Sequence, residues 1–238
     1  MNSCIKCGKQ FTGHGYYCPK CQEEEDRRYE IEFQSHVPEY IAEAGIPDGY
    51  RFWRDTNLST VEGGPIVKHA AEWVWQHRKE NLLISGKTGM GKSTSACYAA
   101  MRLIAAHQNV RYVKLQRLMC EWSEARMSDA AYGEQEFFAR FRKLDLLILD
   151  EAVGKVKDTE SRREMMIELL DEIASGELKM RLWLLGNFRP GSIDALFGEE
   201  NREPSLRRIE ENFICAGITE TEVEVFHVWK PKAENQSN

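Results

Sequence analysis

Apolar residues recur along this chain in two alternating rhythms. Val67, Ala70, Ala71 and Val74 fall at the spacing of one helix face. Leu82-Leu83-Ile84 is a short continuous apolar run, as expected of a strand buried on both sides. A helix is expected from Thr94 to His107 and a second strand from Val110 to Leu115. Leu118 to Arg142 carries helical patterning with a break near Gly133, and Leu144 to Leu149 is another buried strand. Met166, Leu169, Leu170 and Ile173 share a helix face, with Ser161 and Glu164 placed to form a capping box ahead of them. Leu182 to Leu185 and Val223 to Val228 read as the last strands. Strands alternating with helices predict an α/β fold, a parallel sheet flanked by helices on both sides. Ligands of such sheets bind at the carboxyl ends of the strands.

The N-terminal part breaks this rhythm. Residues 1–22 are rich in Cys, Gly and Lys and poor in aliphatics. Residues 23–36 are highly charged and read as a short solvated helix or linker. The expected organisation is a metal-binding module at 1–22, a charged helical linker at 23–45, a nucleotide-binding core at 46–230 and a polar tail at 231–238. A length of 238 residues suits one α/β domain with a small appendage. The net charge of −6 argues against a protein held to nucleic acid by bulk charge alone, though not against a local basic groove. No run of about 20 apolar residues is present, so no membrane span is expected. With no apolar segment in Met1-Asn2-Ser3-Cys4, a cytoplasmic location is expected.

Gly86-Lys87-Thr88-Gly89-Met90-Gly91-Lys92-Ser93 matches the phosphate-binding pattern G-x-x-x-x-G-K-[ST], followed by Thr94 at the start of a helix. The glycines let the main chain turn tightly and aim several N–H groups inward, and the helix adds the positive end of its dipole. Lys92 is expected to reach the β- and γ-phosphates of ATP, and Ser93 to present its hydroxyl oxygen to Mg²⁺. Asp150 and Glu151 follow the apolar run Leu146-Leu147-Ile148-Leu149. They supply the carboxylate that a Mg²⁺ shell needs and the base that an attacking water needs. Asn187, ending the strand Leu182 to Leu185, can reach the γ-phosphate and that water. Arg207 and Arg208 open a further helix, from which an arginine can stabilise charge in a neighbouring subunit's site.

In this order the motifs resemble those of the DnaC/DnaI group of replicative helicase loaders, a branch of the AAA+ ATPases, and are similar to the IstB transposition ATPases. The resemblance runs from about Ile46 to Trp229. It rests on residues 45–52 (Gly-Ile-Pro-Asp-Gly-Tyr-Arg-Phe), 85–94, 112–115, 143–151 and 186–188. It implies ATP hydrolysis, slow and partner-dependent, in an AAA+ P-loop core whose helical lid is absent or truncated. Asn187 is then the sensor and Arg208 the arginine finger, with Arg207 its neighbouring candidate; Ile46 to Phe52 would line the adenine pocket. The implied partners are the replicative hexameric helicase, single-stranded DNA and further copies of the chain, associating through their ATP sites. The implied DNA-contacting element lies within Leu115–Lys143. There Arg117, Arg126, Arg140, Arg142 and Lys143 supply charge, and Trp122 and Phe137 supply rings for stacking. A transposition helper and a nucleotide-gated zinc ribbon with little turnover are the competing readings.

Cys4-x-x-Cys7 and Cys18-x-x-Cys21 are two knuckles with ten residues between them. Each places two thiolates on one turn, and two such turns complete a tetrahedral Zn²⁺ site. A segment this short buries no core, so the metal must supply most of its folding energy. His14, between the knuckles, offers an alternative ligand that four cysteines make unnecessary. DnaI-like loaders also carry an N-terminal zinc-bearing module that contacts the helicase, and this chain is similar in plan. Cys97, Cys120 and Cys215 are spread out and read as packing residues.

Overall fold

A two-stranded antiparallel ribbon, β1 (Asn2–Ser3) with β2 (Gln10–Phe11), opens the chain and leads into helix α1 (Pro19–Glu43). The computed structural model describes residues 1–51, 64–127, 133–152, 160–187, 193 and 202–228. Phe52, the turn at 188–191 and the tail beyond Val228 therefore lie outside the described residues. Pro19 suits the first turn of α1, where its fixed φ costs nothing and its missing N–H would have no partner. The charged stretch 23–36, expected as a short helix or linker, is helical and forms the middle of a 25-residue helix. Val37 and Ile41, four apart, are buried on the core, with Phe33 packed beside them. That burial carries the helix through Pro38, whose own side is exposed.

Then follow α2 (Asp48–Arg51), α3 (Gly64–Gln76), β3 (Asn81–Gly86), α4 (Lys92–Ala105), β4 (Val110–Lys114), α5 (Leu115–Ala125) and α6 (Glu134–Ala139). A 3₁₀ turn over Arg140–Lys143 precedes β5 (Leu146–Asp150), α7 (Glu160–Ala174), β6 (Arg181–Gly186), α8 (Arg202–Asn212), β7 (Phe213–Ile218) and β8 (Val223–Val225). The strands form one sheet in the order β4-β5-β6-β3-β7-β8, parallel except for β8, which pairs antiparallel with β7.

Each interior strand offers both faces to a helical layer. Leu82, Ile84, Ile148, Trp183 and Leu185 meet α1, α3 and α4 on one side. Leu83, Leu147, Leu149, Leu182 and Leu184 meet α5, α6, α7 and α8 on the other. This is why the strands read as unbroken apolar runs rather than alternating ones. One strand of this six-stranded sheet was not expected at all. β7 lies directly beside β3, with Leu83 opposite Cys215 and Gly86 opposite Ile218.

The second layer overturns three expectations. Trp122 is 1% exposed and Phe137 fully buried, so neither ring can stack on a base. They join Phe138 and Phe141 in a cluster with centroids 5.1 to 6.2 Å apart, edge-to-face pairs worth roughly 0.5–1.5 kcal/mol each. The arginines proposed for DNA remain at the surface, where Arg117 and Arg140 pair with Glu121, and Arg126 with Glu164. Arg142 and Lys143 sit exposed on the 3₁₀ turn. Glu164 is thus spent on Arg126, and α7 is already helical at Glu160, so Ser161 lies inside the helix and no capping box forms. Finally, Cys120 is exposed, whereas Cys97 and Cys215 are buried as expected.

Candidate nucleotide site and cysteine cluster

The carboxyl ends of β3, β4, β5 and β6 open on a cavity of about 610 Å³. Its lining includes Thr88, Gly89, Gly91, Lys92, Ser93 and Thr94 from the loop after β3 and the start of α4. Asp150 and Glu151 enter from the end of β5, Gly186 and Asn187 from the end of β6, and Pro47 and Tyr50 from the segment around α2. Not every residue expected here lines it: Met90 packs against the core, Ile46 is fully buried there, and the side chain of Lys87 turns away. It is 82% exposed and pairs with Glu220 at 3.8 Å.

The loop takes its shape from its glycines. Gly91 has φ 83°, and a Cβ there would come within 3.0 Å of Val67 on α3. Gly86 sits against β7: a Cβ would stand 2.8 Å from the carbonyl oxygen of Ile218. The unexpected strand is therefore what holds the base of the loop. Lys92 Nζ donates to the carbonyls of Gly86, at 2.6 Å, and Lys87, at 2.8 Å, so the ammonium is curled inside its own loop. Burial holds it below the ordinary lysine range, against the opposing pull of Asp150.

Asp150 is 6% exposed and fully engaged. Its Oδ2 accepts the Ser93 hydroxyl at 2.6 Å and also the hydroxyl of Tyr112, from β4. Its Oδ1 accepts the N–H of Glu151 at 2.7 Å. Glu151 adopts φ 53°, in the left-handed region, a conformation costing on the order of 1–3 kcal/mol for such a residue. From that turn the side chain reaches the end of β4, where Oε1 meets Lys114 Nζ at 2.8 Å. The contact with Glu151 holds Lys114 above the ordinary lysine range. Neither Tyr112 nor Lys114 had an expected role here. A sequence signal existed: an aromatic hydroxyl two residues before a lysine on the strand paired with the acidic one.

Arg207 and Arg208 do not line this cavity. Arg208 Nε stands 2.9 Å from Asp171 on α7, and Arg207 pairs with Glu211 at 2.7 Å on its own helix. Both face outward from the chain that carries them, 62% and 35% exposed respectively.

At the other end of the molecule, the sulfurs of Cys4, Cys7, Cys18 and Cys21 all lie within 4.8 Å of one another. Cys7 and Cys18 are 3.7 Å apart. A disulfide needs about 2.05 Å, whereas a tetrahedral zinc with bonds of about 2.3 Å spreads its sulfurs by about 3.8 Å. The donor set and its spacing thus fit Zn²⁺. Burial opposes ionisation of Cys4, but main-chain N–H donors of the knuckles outweigh it and bring the thiol to about 6. Cys21 is pushed up to about 12 by burial and by the neighbouring thiols, the mutual repulsion that a divalent cation would relieve. Lys6 ties this module to α1 through Glu24 at 3.2 Å and Glu25 at 2.8 Å. His14 takes no part in the cluster.

Among the described residues, no helix is long and apolar enough to cross a membrane. The model of the family described as IstB-like ATP binding protein matches residues 50–178. A protein of Pseudomonas fluorescens, described as an ATP-binding protein of insertion sequence IS1162, is 29% identical over 109 residues, covering 46% of this chain and 46% of its own. The chain thus matches about half the length of that curated relative. Among solved structures, DnaI aligns with TM-score 0.51 at 17% identity, covering 71% of this chain and 90% of its own. The DnaC helicase loader aligns with TM-score 0.52 at 13% identity, covering 71% and 99%. AMPPCP-bound DnaA from Aquifex aeolicus aligns with TM-score 0.50 at 17% identity, covering 73% and 51%. At such identities these structures speak for the fold alone, a mostly parallel sheet flanked by helices with a phosphate loop after β3.

Proposed function

We propose, from the premise that this chain belongs to the family of IstB-like ATP-binding proteins, that it is a Mg²⁺-dependent ATPase that places the replicative helicase on single-stranded DNA. The observation that carries the ATPase reading is the convergence of Lys92, Ser93, Asp150, Glu151 and Asn187 on one cavity.

The main-chain N–H groups of the loop and the start of α4 receive the phosphates. Lys92 exchanges its two carbonyl partners for phosphate oxygens, a move that needs only rotation of its own side chain. Ser93 and Asp150 would hold Mg²⁺, which would neutralise charge on the β- and γ-phosphates. Glu151 accepts the proton of the attacking water once it leaves Lys114, and Asn187 orients that water beside the γ-phosphate. Arg207 or Arg208 of a neighbouring copy completes the charge stabilisation, because neither reaches the cavity of its own chain. Hydrolysis is then slow until copies associate.

The loader reading is supported by the cysteine module mounted on α1, the plan of a zinc-bearing arm ahead of the core. Metal analysis of the full chain is expected to find about one zinc per chain. A strong chelator should unfold residues 1–22 while ATP binding persists; a metal-free chain with an ordered N-terminus would remove the zinc assignment. The partner is tested by co-purification with the replicative helicase, with and without ATP, followed by mass measurement. No contact in either state sinks the loader reading. The second reading, a transposition helper, is favoured by the resemblance to the insertion-sequence protein. Capture of a transposase in the same assay would establish it.

A further inference from the structure

The nucleotide cavity contains one buried hydroxyl that no step above uses. Tyr112 is 5% exposed, and its phenol donates to Oδ2 of Asp150, the same oxygen that accepts the Ser93 hydroxyl. Its position is fixed from both ends. Tyr112 lies opposite Ile148 in the β4–β5 register, two residues before Lys114, which stands opposite Asp150 itself. On the other edge of β4, the Tyr112 N–H donates to the carbonyl of Ala44 at 2.7 Å. Its own carbonyl lies so close to Gly45 that a Cβ there would stand 2.5 Å away. Gly45 has φ 80°, and no other residue type fits both that conformation and that gap. The strand can therefore neither slide nor retreat from Asp150.

Ser93 and Tyr112 both donate to Oδ2, and the Glu151 N–H donates to Oδ1. A serine hydroxyl can offer a lone pair to a cation while its O–H stays on Asp150, so the Ser93 donor shifts with the metal, whereas the donor on β4 is held by the strand. A carboxylate held at both oxygens by fixed donors does not rotate. We infer that Tyr112 is a positioning residue for Mg²⁺: its hydroxyl keeps the Asp150 carboxylate oriented while Ser93 takes up the cation.

This inference rests on the nucleotide-site reading, and the test separates the two. In the full chain, Tyr112→Phe keeps the buried ring and removes only the donor. ATP affinity would be measured by titration calorimetry in EDTA and over a series of Mg²⁺ concentrations, with the melting temperature recorded in parallel. Affinity in EDTA is expected to stay within about 2-fold of wild type. The Mg²⁺ concentration giving half of the metal-dependent gain in affinity is expected to rise by at least about 10-fold, the loss of one hydrogen bond to a charged group. In turnover, the Mg²⁺ requirement should rise by the same factor while kcat at saturating Mg²⁺ falls less.

An unchanged Mg²⁺ midpoint in a folded Tyr112→Phe protein overturns the inference, as does an equal loss of affinity in EDTA and in Mg²⁺. Asp150→Asn serves as the reference. If it leaves the Mg²⁺ dependence intact, the nucleotide-site reading itself fails. If it abolishes the dependence while Tyr112→Phe does not move it, only the role of Tyr112 fails. Should Tyr112→Phe not fold, 3-fluorotyrosine installed at position 112 keeps the hydroxyl and strengthens it as a donor. A shifted Mg²⁺ midpoint then supports the role, and an unmoved one overturns it.

Discussion

Glu151→Gln is expected to lower ATP turnover by at least about 100-fold while leaving ATP affinity within about 3-fold of wild type. The amide keeps the shape of the side chain but cannot accept the proton of the attacking water, a loss typically worth about 10²- to 10⁴-fold. The site's framework should survive. What Glu151 gives to its neighbours is its main-chain N–H, donated to Asp150, and the substitution leaves that in place. The lost ion pair with Lys114 joins two side chains about half exposed to solvent, so it contributes little to stability. Phosphate release, measured with single-stranded DNA and helicase present, checks the first part; nucleotide titration checks the second. Wild-type turnover in the variant would place the base elsewhere, and no turnover in the wild type under any condition would favour a nucleotide switch.

Lys92→Ala is expected to weaken ATP binding by at least about 100-fold, equivalent to about 2.7 kcal/mol. Lys92 is the cation curled within the phosphate loop, and its hydrogen bonds go to two main-chain carbonyls. Nucleotide would replace those neutral acceptors with charged oxygens, which adds the attraction between opposite charges to each bond. Removing the side chain frees two carbonyls that face the cavity and can be hydrated, so the melting temperature without nucleotide should change little. A fluorescent-nucleotide titration with a parallel melting curve tests both statements. Unchanged affinity would mean that the loop does not hold the phosphates.

The core was legible where apolar runs were long. Leu82-Leu83-Ile84 and Leu146 to Leu149 announced their strands because burial on both faces leaves no room for polar residues. The phosphate loop and the acidic pair were legible because their chemistry permits few substitutions. β7 was not. Phe213-Ile214-Cys215-Ala216-Gly217-Ile218 has small residues at its centre and follows a charged helix without a turn signal. Yet small residues suit its place: Gly217 lies opposite Ser85 and Ile218 opposite Gly86, beside the tight base of the loop. α1 was cut short by the same logic. Charge masked it, and only Phe33, Val37 and Ile41 signal its buried stripe. Trp122 and Phe137 failed in the opposite direction, because an aromatic at helical spacing beside arginines reads alike whether it packs inward or faces a base. Tyr112 was missed because its importance comes from a carboxylate 38 positions away along the chain, on the strand paired with its own.

The unbroken course of α1 has a mechanical consequence. Phe33 stacks on His107 with ring centroids 3.7 Å apart, and Gln34 Nε2 donates to the carbonyl of Ala105 at 2.9 Å, so the second half of α1 is gripped against the end of α4. From Phe33 back to Cys21 the helix reaches ~18 Å beyond that grip at 1.5 Å per residue. It is a pointer whose pivot is the end of α4, the helix that begins at Lys92 and Ser93. A tilt of about 5° there carries the cysteine module through ~1.6 Å. The same ratio holds in reverse, so a force applied at the module reaches the helix that carries the phosphate loop with the length of that arm as its leverage.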